Sequence, residues 1–191
     1  MKALLRVGAK KVVVGGRNKK LQDDFLRTLK NEQNGLYDTD AQVDGSHLID
    51  LADLNSVEEF GSYVAKSYPV VDVLICNAGV MNIPAGLTKQ GVEQQMGVNC
   101  VGHFLLAKLL AKQTKRQVWV SSYGHTLKGG ERINIDRLRQ FSRNNFTEYD
   151  GWKSYQQSKL EHIAGKRIQE AIPESRISFV APRNNLYQFV S

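Results

Sequence analysis

The chain has 191 residues, 41% hydrophobic and 24% charged, the make-up of one soluble globular domain with a sizeable core. No stretch approaches about eighteen uncharged apolar residues and no charged head precedes an apolar signal segment, so neither a membrane span nor secretion is expected, and the expected compartment is the cytoplasm. The net charge of +7 comes from scattered basic residues, densest at Lys10, Lys11, Arg17, Lys19 and Lys20, without interleaved aromatics, so nucleic acid is not an expected partner.

In chain order, the spacing predicts a short helix over Lys2–Arg6 stopped at Gly8, then a strand over Lys11–Val14 that runs into Gly15-Gly16-Arg17. Asn18 caps a predicted helix over Lys19–Asn31, and the apolar run His47–Leu51 reads as the next strand. A helix over Ser56–Tyr68 follows, capped by Asn55 and stopped by Pro69; the strand Val71–Cys76 then ends at Asn77-Ala78-Gly79. Further on come a helix over Thr88–Lys112, a strand over Val118–Ser121, a helix over Trp152–Ala171 and a strand over Arg176–Val180. Strand-length apolar runs alternating with helix-length amphipathic segments point to an α/β fold, a doubly wound parallel sheet with helices on both faces. The polar, basic stretch from Tyr123 to Asp150 is too long for an idle connection and is expected to border a cleft.

Chemistry concentrates at Tyr155-Gln-Gln-Ser-Lys159. Residues i and i+4 share one helix face, so the phenol and the ammonium would enter the same cleft. An adjacent ammonium favours phenolate and makes a tyrosine a usable acid and base. Alone, such a pair is also consistent with a half-buried Tyr and a solvated Lys. Cys76 and Cys100 are too few for a disulfide framework and lack metal-ligand spacing with the four histidines; they read as small buried fillers, and no metal site is expected.

Three further motifs stand upstream in a fixed order: Asn77-Ala78-Gly79 after an apolar strand, Asn99 in Gly97-Val98-Asn99-Cys100-Val101-Gly102-His103, and Ser121-Ser122 closing Gln117-Val118-Trp119-Val120. The ordered set resembles the short-chain dehydrogenase/reductase family over about residues 1–182, with a Rossmann-like fold. Within it, the stretches Leu87–Asn99 and Gly102–Leu106, together with the long step from Ser122 to Tyr155, are most similar to the retinol dehydrogenase, WW-domain oxidoreductase and protochlorophyllide reductase branch.

The resemblance implies hydride transfer between NADP(H) and a secondary alcohol, a ketone or a retinoid-like carbonyl compound. In that reading Tyr155 is the acid and base, Lys159 tunes it and holds the nicotinamide ribose, Ser122 rather than Ser121 bonds the substrate oxygen, and Asn99 supports a proton-relaying water. The cofactor would also meet Arg17, Asp50, Leu51, Asn77, Ala78 and Gly79. A guanidinium at Arg17 suits a 2′-phosphate and favours NADP over NAD, although a lone Arg after a strand also fits a solvated surface charge. Asp50 would accept from the adenine amine, or simply cap a turn. Helices Asn99–Lys112 and Trp152–Ala171 often pair across a homodimer in this family.

Relative to the family pattern the sequence reads as truncated at both ends, a single partial domain over 1–191. The first strand and its Thr-Gly-x-x-x-Gly-x-Gly turn, which cradles the pyrophosphate, do not precede Met1, and Ala181-Pro182 is not followed by the usual glycine, lid and final helix. Loss of a central strand would leave apolar surface and unpaired edges. The expectation is weak or absent turnover by these residues alone. The alternative is a non-catalytic remnant or partial gene product that keeps the fold and dimer surfaces.

Overall fold

Gly8 ends the first helix by donating its N–H to the Leu5 carbonyl (3.1 Å), with Ala9 donating to Leu4 (3.0 Å). That helix, α1 (Lys2–Arg6), leads into β1 (Lys11–Val13), α2 (Lys19–Leu36) and β2 (Gln42–Asp44). The computed structural model describes residues 2–36, 41–126, 134–160, 169–183 and 186–190. They form two compact units, residues 1–50 and 51–191.

In the 1–50 unit β1 and β2 pair in parallel, with Val12 opposite Val43, and α2 is the crossover between them. Asn18 Oδ1 accepts the Leu21 N–H at 3.1 Å, the expected cap. Leu5, Leu29 and Ala41 are buried together, with Val12, Phe25 and Val43 packed against them. The strand expected over His47–Leu51 is not there; the strand after α2 is Gln42–Asp44, and residues 47–50 are irregular. The buried Gln22 amide donates to the carbonyls of Gly45 (2.8 Å) and His47 (3.3 Å), taking the groups a ladder would use. A single backbone bond, Ile49 N–H to Gly16 C=O at 3.1 Å, ties the segment to the turn after β1. The true strand has only Val43 apolar between Gln42 and Asp44, whereas Leu48-Ile49-Asp50-Leu51 carries the stronger apolar signal.

The 51–191 unit holds a four-stranded sheet in the order β3 (Val71–Cys76), β4 (Thr114–Val120), β5 (Arg176–Arg183), β6 (Leu186–Val190). β3, β4 and β5 run parallel, and β6, which the sequence did not suggest, returns antiparallel along β5. Cys76, Ala107, Ala111, Trp119 and Ile172 form the core, covered by Leu74, Phe104, Ile177 and Phe179. β3 is an edge strand of this sheet, and its Val73 and Ile75 are exposed.

Helix starts differ from the sequence expectation for one reason, the placement of acidic caps. α3 (Leu54–Ser67) begins after Asp53, whose carboxylate accepts the Asn55 N–H; Asn55 itself lies inside the helix. The helix expected over Thr88–Lys112 begins only at α4 (Gln94–Met96), because the Glu93 carboxylate takes the N–H groups of Gln95 and Met96. Thr88–Val92 instead closes a tight loop through the Thr88 N–H to Val92 C=O bond at 2.8 Å. A π turn over Gly97–Val101 continues into α5 (Gly102–Leu109) and a 3-10 turn over Ala111–Gln113. Within the long connection lies α6 (Ile135–Ser142), and α7 (Gly151–Leu160) carries the Tyr–Lys pair. The expected continuation of α7 through 161–168 lies outside the described residues; 169–171 are again helical.

Candidate active site

β4 delivers Ser121 and Ser122 to the C-terminal end of the parallel strands, beside α7. The two serines are used differently. Ser121, buried, donates its hydroxyl to the Lys159 carbonyl at 2.9 Å, while Ser122 Oγ accepts the Gly124 N–H at 3.1 Å. Lys159 Nζ donates in turn to the Val120 carbonyl at 2.9 Å, so the end of β4 and α7 are stitched in both directions.

Asn99 makes the longer connection. Its Oδ1 accepts the Val80 N–H (2.8 Å), and its Nδ2 donates to the Val80 carbonyl (2.9 Å) and to Ser158 Oγ (2.9 Å). Ser158 passes the link to the Tyr155 carbonyl at 2.7 Å. Asn99 sits in the π turn, where the widened backbone turns its amide inward, and it is fully buried. Every polar atom of this amide is thereby bonded, as burial demands.

Two glycines show how closely the groups converge. A Cβ on Gly79 would lie 2.9 Å from Asn99 Oδ1 and 3.5 Å from Lys159 Nζ; one on Gly124 would lie 3.2 Å from Ser122 Oγ and 3.4 Å from the Tyr155 ring. Asn99 and Lys159 therefore meet at Gly79, Ser122 and Tyr155 meet at Gly124, and α7 joins the two meetings through the i, i+4 step. The Asn77-Ala78-Gly79 turn is exposed above this cluster. A backbone bare of side-chain bulk, lying against a buried ammonium, fits the ribose end of a nicotinamide nucleotide.

Burial pushes the Lys159 ammonium down to about 8, partly offset by the thiols of Cys100 and Cys76. Burial likewise pushes the Cys76 thiol up; Cys76 is buried in the core, as a small filler would be, and Cys100 is half-buried. His103, to which the sequence reading assigned no role, stands four residues after Asn99 on the same helical face. Its Nε2 bonds the Ala78 carbonyl at 2.8 Å, its Nδ1 is buried without a partner, and burial pushes its pKa down to about 4. A neutral imidazole with the proton on Nε2 thus holds the exposed turn from beneath. The i, i+4 relation to Asn99 was the signal that could have found it.

Arg17 is exposed at the turn after β1, and Asp50 is half-buried at the end of the irregular segment; both belong to the 1–50 unit. Leu51 opens the second unit, buried, with its carbonyl against Gly102 at the start of α5. Among the described residues no helix is long and apolar enough to cross a membrane, and no cluster of three His, Cys, Asp or Glu side chains could hold a metal ion.

The family model described as short chain dehydrogenase matches residues 1–124. Retinol dehydrogenase 14 of Mus musculus is 38% identical over 170 residues, which cover 84% of this chain and 48% of that protein. Protochlorophyllide reductase of Avena sativa is 35% identical over 126 residues, covering 63% and 37%. The chain spans about half the length of the curated relatives it matches, or less. Among solved structures, an uncharacterised protein from Mycobacterium paratuberculosis superposes with a TM-score of 0.70 at 28% identity, over 100% of this chain and 78% of that one.

Proposed function

The chain belongs to the short-chain dehydrogenase/reductase family, on its retinol dehydrogenase and protochlorophyllide reductase side, and from that premise we propose that it serves hydride transfer between NADP(H) and a secondary alcohol, a ketone or a retinoid-like carbonyl compound. The observation that carries the reading is the convergence of Ser122 Oγ and the Tyr155 ring on Gly124, with Asn99 and Lys159 converging on Gly79.

When bound, the nicotinamide supplies or accepts the hydride. The chain's own groups handle orientation and the proton. Tyr155 delivers its phenolic proton to the carbonyl oxygen during reduction and removes it from the alcohol during oxidation. Ser122 Oγ, beside it, donates to the same oxygen and holds it in line. Lys159, poised near pH 8 by burial, holds the ribose hydroxyls and steadies the charge that develops on Tyr155. Asn99 keeps the 79–80 backbone and α7 at a fixed separation, and with it the path by which protons reach Lys159 from solvent.

Gly79, Ala78 and Asn77 line the nicotinamide end. Arg17 takes the 2′-phosphate and sets the preference for NADP, and Asp50 and Leu51 take the adenine. The test is a fluorescence titration of residues 1–191 with NADPH and NADH, followed by turnover of retinal and of a secondary alcohol. Saturable binding with NADPH preferred, and at most a weak rate that Tyr155→Phe removes, is the expected result. A rate unaffected by Tyr155→Phe would overturn it.

A further inference from the structure

Gln95, Asn99 and His103 stand at successive i, i+4 positions through α4, the π turn and α5, and all three are buried. Each bonds the backbone of one segment, at every second residue and in reverse order. His103 Nε2 bonds the Ala78 carbonyl (2.8 Å), Asn99 bonds the N–H (2.8 Å) and carbonyl (2.9 Å) of Val80, and Gln95 Oε1 accepts the Asn82 N–H (2.8 Å). The match is one of spacing. Four helical residues rise about 6 Å, and two residues of open chain advance about 6.5 Å, so rungs and rail keep step. In an unbroken α-helix each i, i+4 step would also drift about 40° around the axis. The wider π turn over Gly97–Val101 takes up part of that drift between the outer rungs.

Two of the rungs also hold α7. Asn99 Nδ2 donates to Ser158 Oγ (2.9 Å), and Gln95 Nε2 donates to the Gly151 carbonyl (2.8 Å) and to the Tyr149 hydroxyl (3.0 Å). Both protons of the Gln95 amide and its oxygen are thereby used. Tyr149 donates in turn to Glu93 Oε1 (2.9 Å), and the buried Glu93 carboxylate accepts the N–H groups of Gln95 (3.1 Å) and Met96 (2.8 Å). The start of α7 lies close against the end of the rail: a Cβ on Gly151 would fall 2.7 Å from Asn82 Oδ1 and 3.0 Å from the Ile83 carbonyl. At the other end the Trp119 ring stands edge-on to the His103 ring, centroids 6.3 Å apart, and fixes its plane.

The rail itself has no regular structure, and Ala78, Gly79, Met81 and Asn82 are exposed along it. Burial of three polar side chains beneath it is favourable only while each partner stays in place, so the ladder fixes where this backbone lies. Gly79, whose Cβ would fall 3.5 Å from Lys159 Nζ, sits between the His103 and Asn99 rungs. Resting on the proposed carbonyl chemistry at Tyr155, we propose that Gln95 and His103 are positioning residues for it. As the outer rungs of a side-chain ladder centred on Asn99, they hold the 78–82 backbone against α7 and so set the separation between the nicotinamide end of the site and Tyr155. They act through the backbone, not on the substrate.

Amide hydrogen exchange reads the ladder without cofactor or turnover. In residues 1–191 the Val80 and Asn82 amides should exchange at least about 100-fold more slowly than the Met81 amide between them, although the segment is exposed. Gln95→Leu should bring Asn82 to the Met81 rate and speed Val80 at least about tenfold, while the amides of β4, central between β3 and β5, keep their protection. His103→Leu should speed Val80 likewise, and His103→Gln, which keeps a donor for the Ala78 carbonyl, should restore it. In NADPH-dependent turnover of retinal, Gln95→Leu and His103→Leu should lower kcat about tenfold with KM within about twofold of wild type, and His103→Gln should recover the rate. Unprotected Val80 and Asn82 in the wild type, or Val80 unmoved by both Leu variants, overturns the ladder, as does a loss of protection that spreads equally to β4. Coupled release with kcat unchanged removes the positioning role. Coupled release in a chain with no rate at all removes the carbonyl reading, and the positioning role with it, but leaves the ladder. A rate that Tyr155→Phe abolishes, with Val80 unmoved, removes the ladder alone.

Discussion

Asn99 and Lys159 in one unit and Arg17 in the other are held in opposite ways. In the 51–191 unit Asn99, Ser158, Gln95 and Lys159 are buried and bonded to one another or to backbone from distant segments. In the 1–50 unit Arg17 lies exposed on a short turn; among the described residues the apolar cluster of that unit is Leu5, Leu29 and Ala41 with three partly buried neighbours. The difference separates two kinds of residue. Where a side chain is held by partners that others also use, its position is over-determined and its loss is felt across the site. Where it is held by its own backbone alone, its effect stays local.

The sharpest way to break this contrast is Tyr155→Phe. It removes one oxygen and little packing, so the rate of carbonyl reduction should fall about 10²–10⁴-fold while the thermal midpoint stays put. A matching loss of stability would show the hydroxyl to be structural instead. Next is Asn99→Ala, which strands the Val80 N–H and C=O and takes one donor from the Ser158 hydroxyl; it should cost about 3 kcal/mol in urea unfolding. A cost under about 1 kcal/mol would mean the network is not coupled.

A pH series sharpens the contrast further. His103 titrates at about 4 in the fold, below its ordinary 6.5, so the unfolded chain binds the extra proton first. Its contribution to stability is therefore complete above pH 6.5 and is lost as pH falls toward 4, by on the order of 2–3 kcal/mol. Denaturant midpoints of wild type and His103→Gln across that window should converge at low pH. Parallel curves would place the imidazole outside the buried turn. The smallest effect belongs to the exposed unit: Arg17→Ala should lower the preference for NADPH over NADH about tenfold in a fluorescence titration and leave the melting curve unchanged. An equal loss for both nucleotides would assign Arg17 to a general charge effect.

What was readable in the sequence follows the same division. The strand Val71–Cys76 stands where its apolar run predicts, β5 extends the expected strand, and β4 begins four residues earlier and ends one earlier than expected, because β-branched residues favour a pleated strand even where, as at Val73 and Ile75, the side chain stays exposed. β2 was missed because Gln42-Val43-Asp44 has almost no apolar signal, while the louder Leu48–Leu51 run is drawn out of the ladder by Gln22. Trp152 is half-exposed with its ring edge-on to Tyr155; nothing in a single large aromatic says which way its backbone will be held.

By itself the sequence determined the alternation of strands and helices, the end of α1 at Gly8, the cap at Asn18 and the shared face of Tyr155 and Lys159. Each depends on residues within about one helical turn of one another, where spacing alone sets geometry. The tertiary structure decided that Ser121 would bind backbone and Ser122 would face Tyr155, that His103 would lie neutral under the Ala78 turn, and that Glu93 and Gln95 would be buried hubs. Those outcomes rest on partners far along the chain, 59 residues from Asn99 to Ser158 and 56 from Gln95 to Gly151. A polar side chain is buried only where such a partner arrives to replace water, and its arrival is a property of the packed fold.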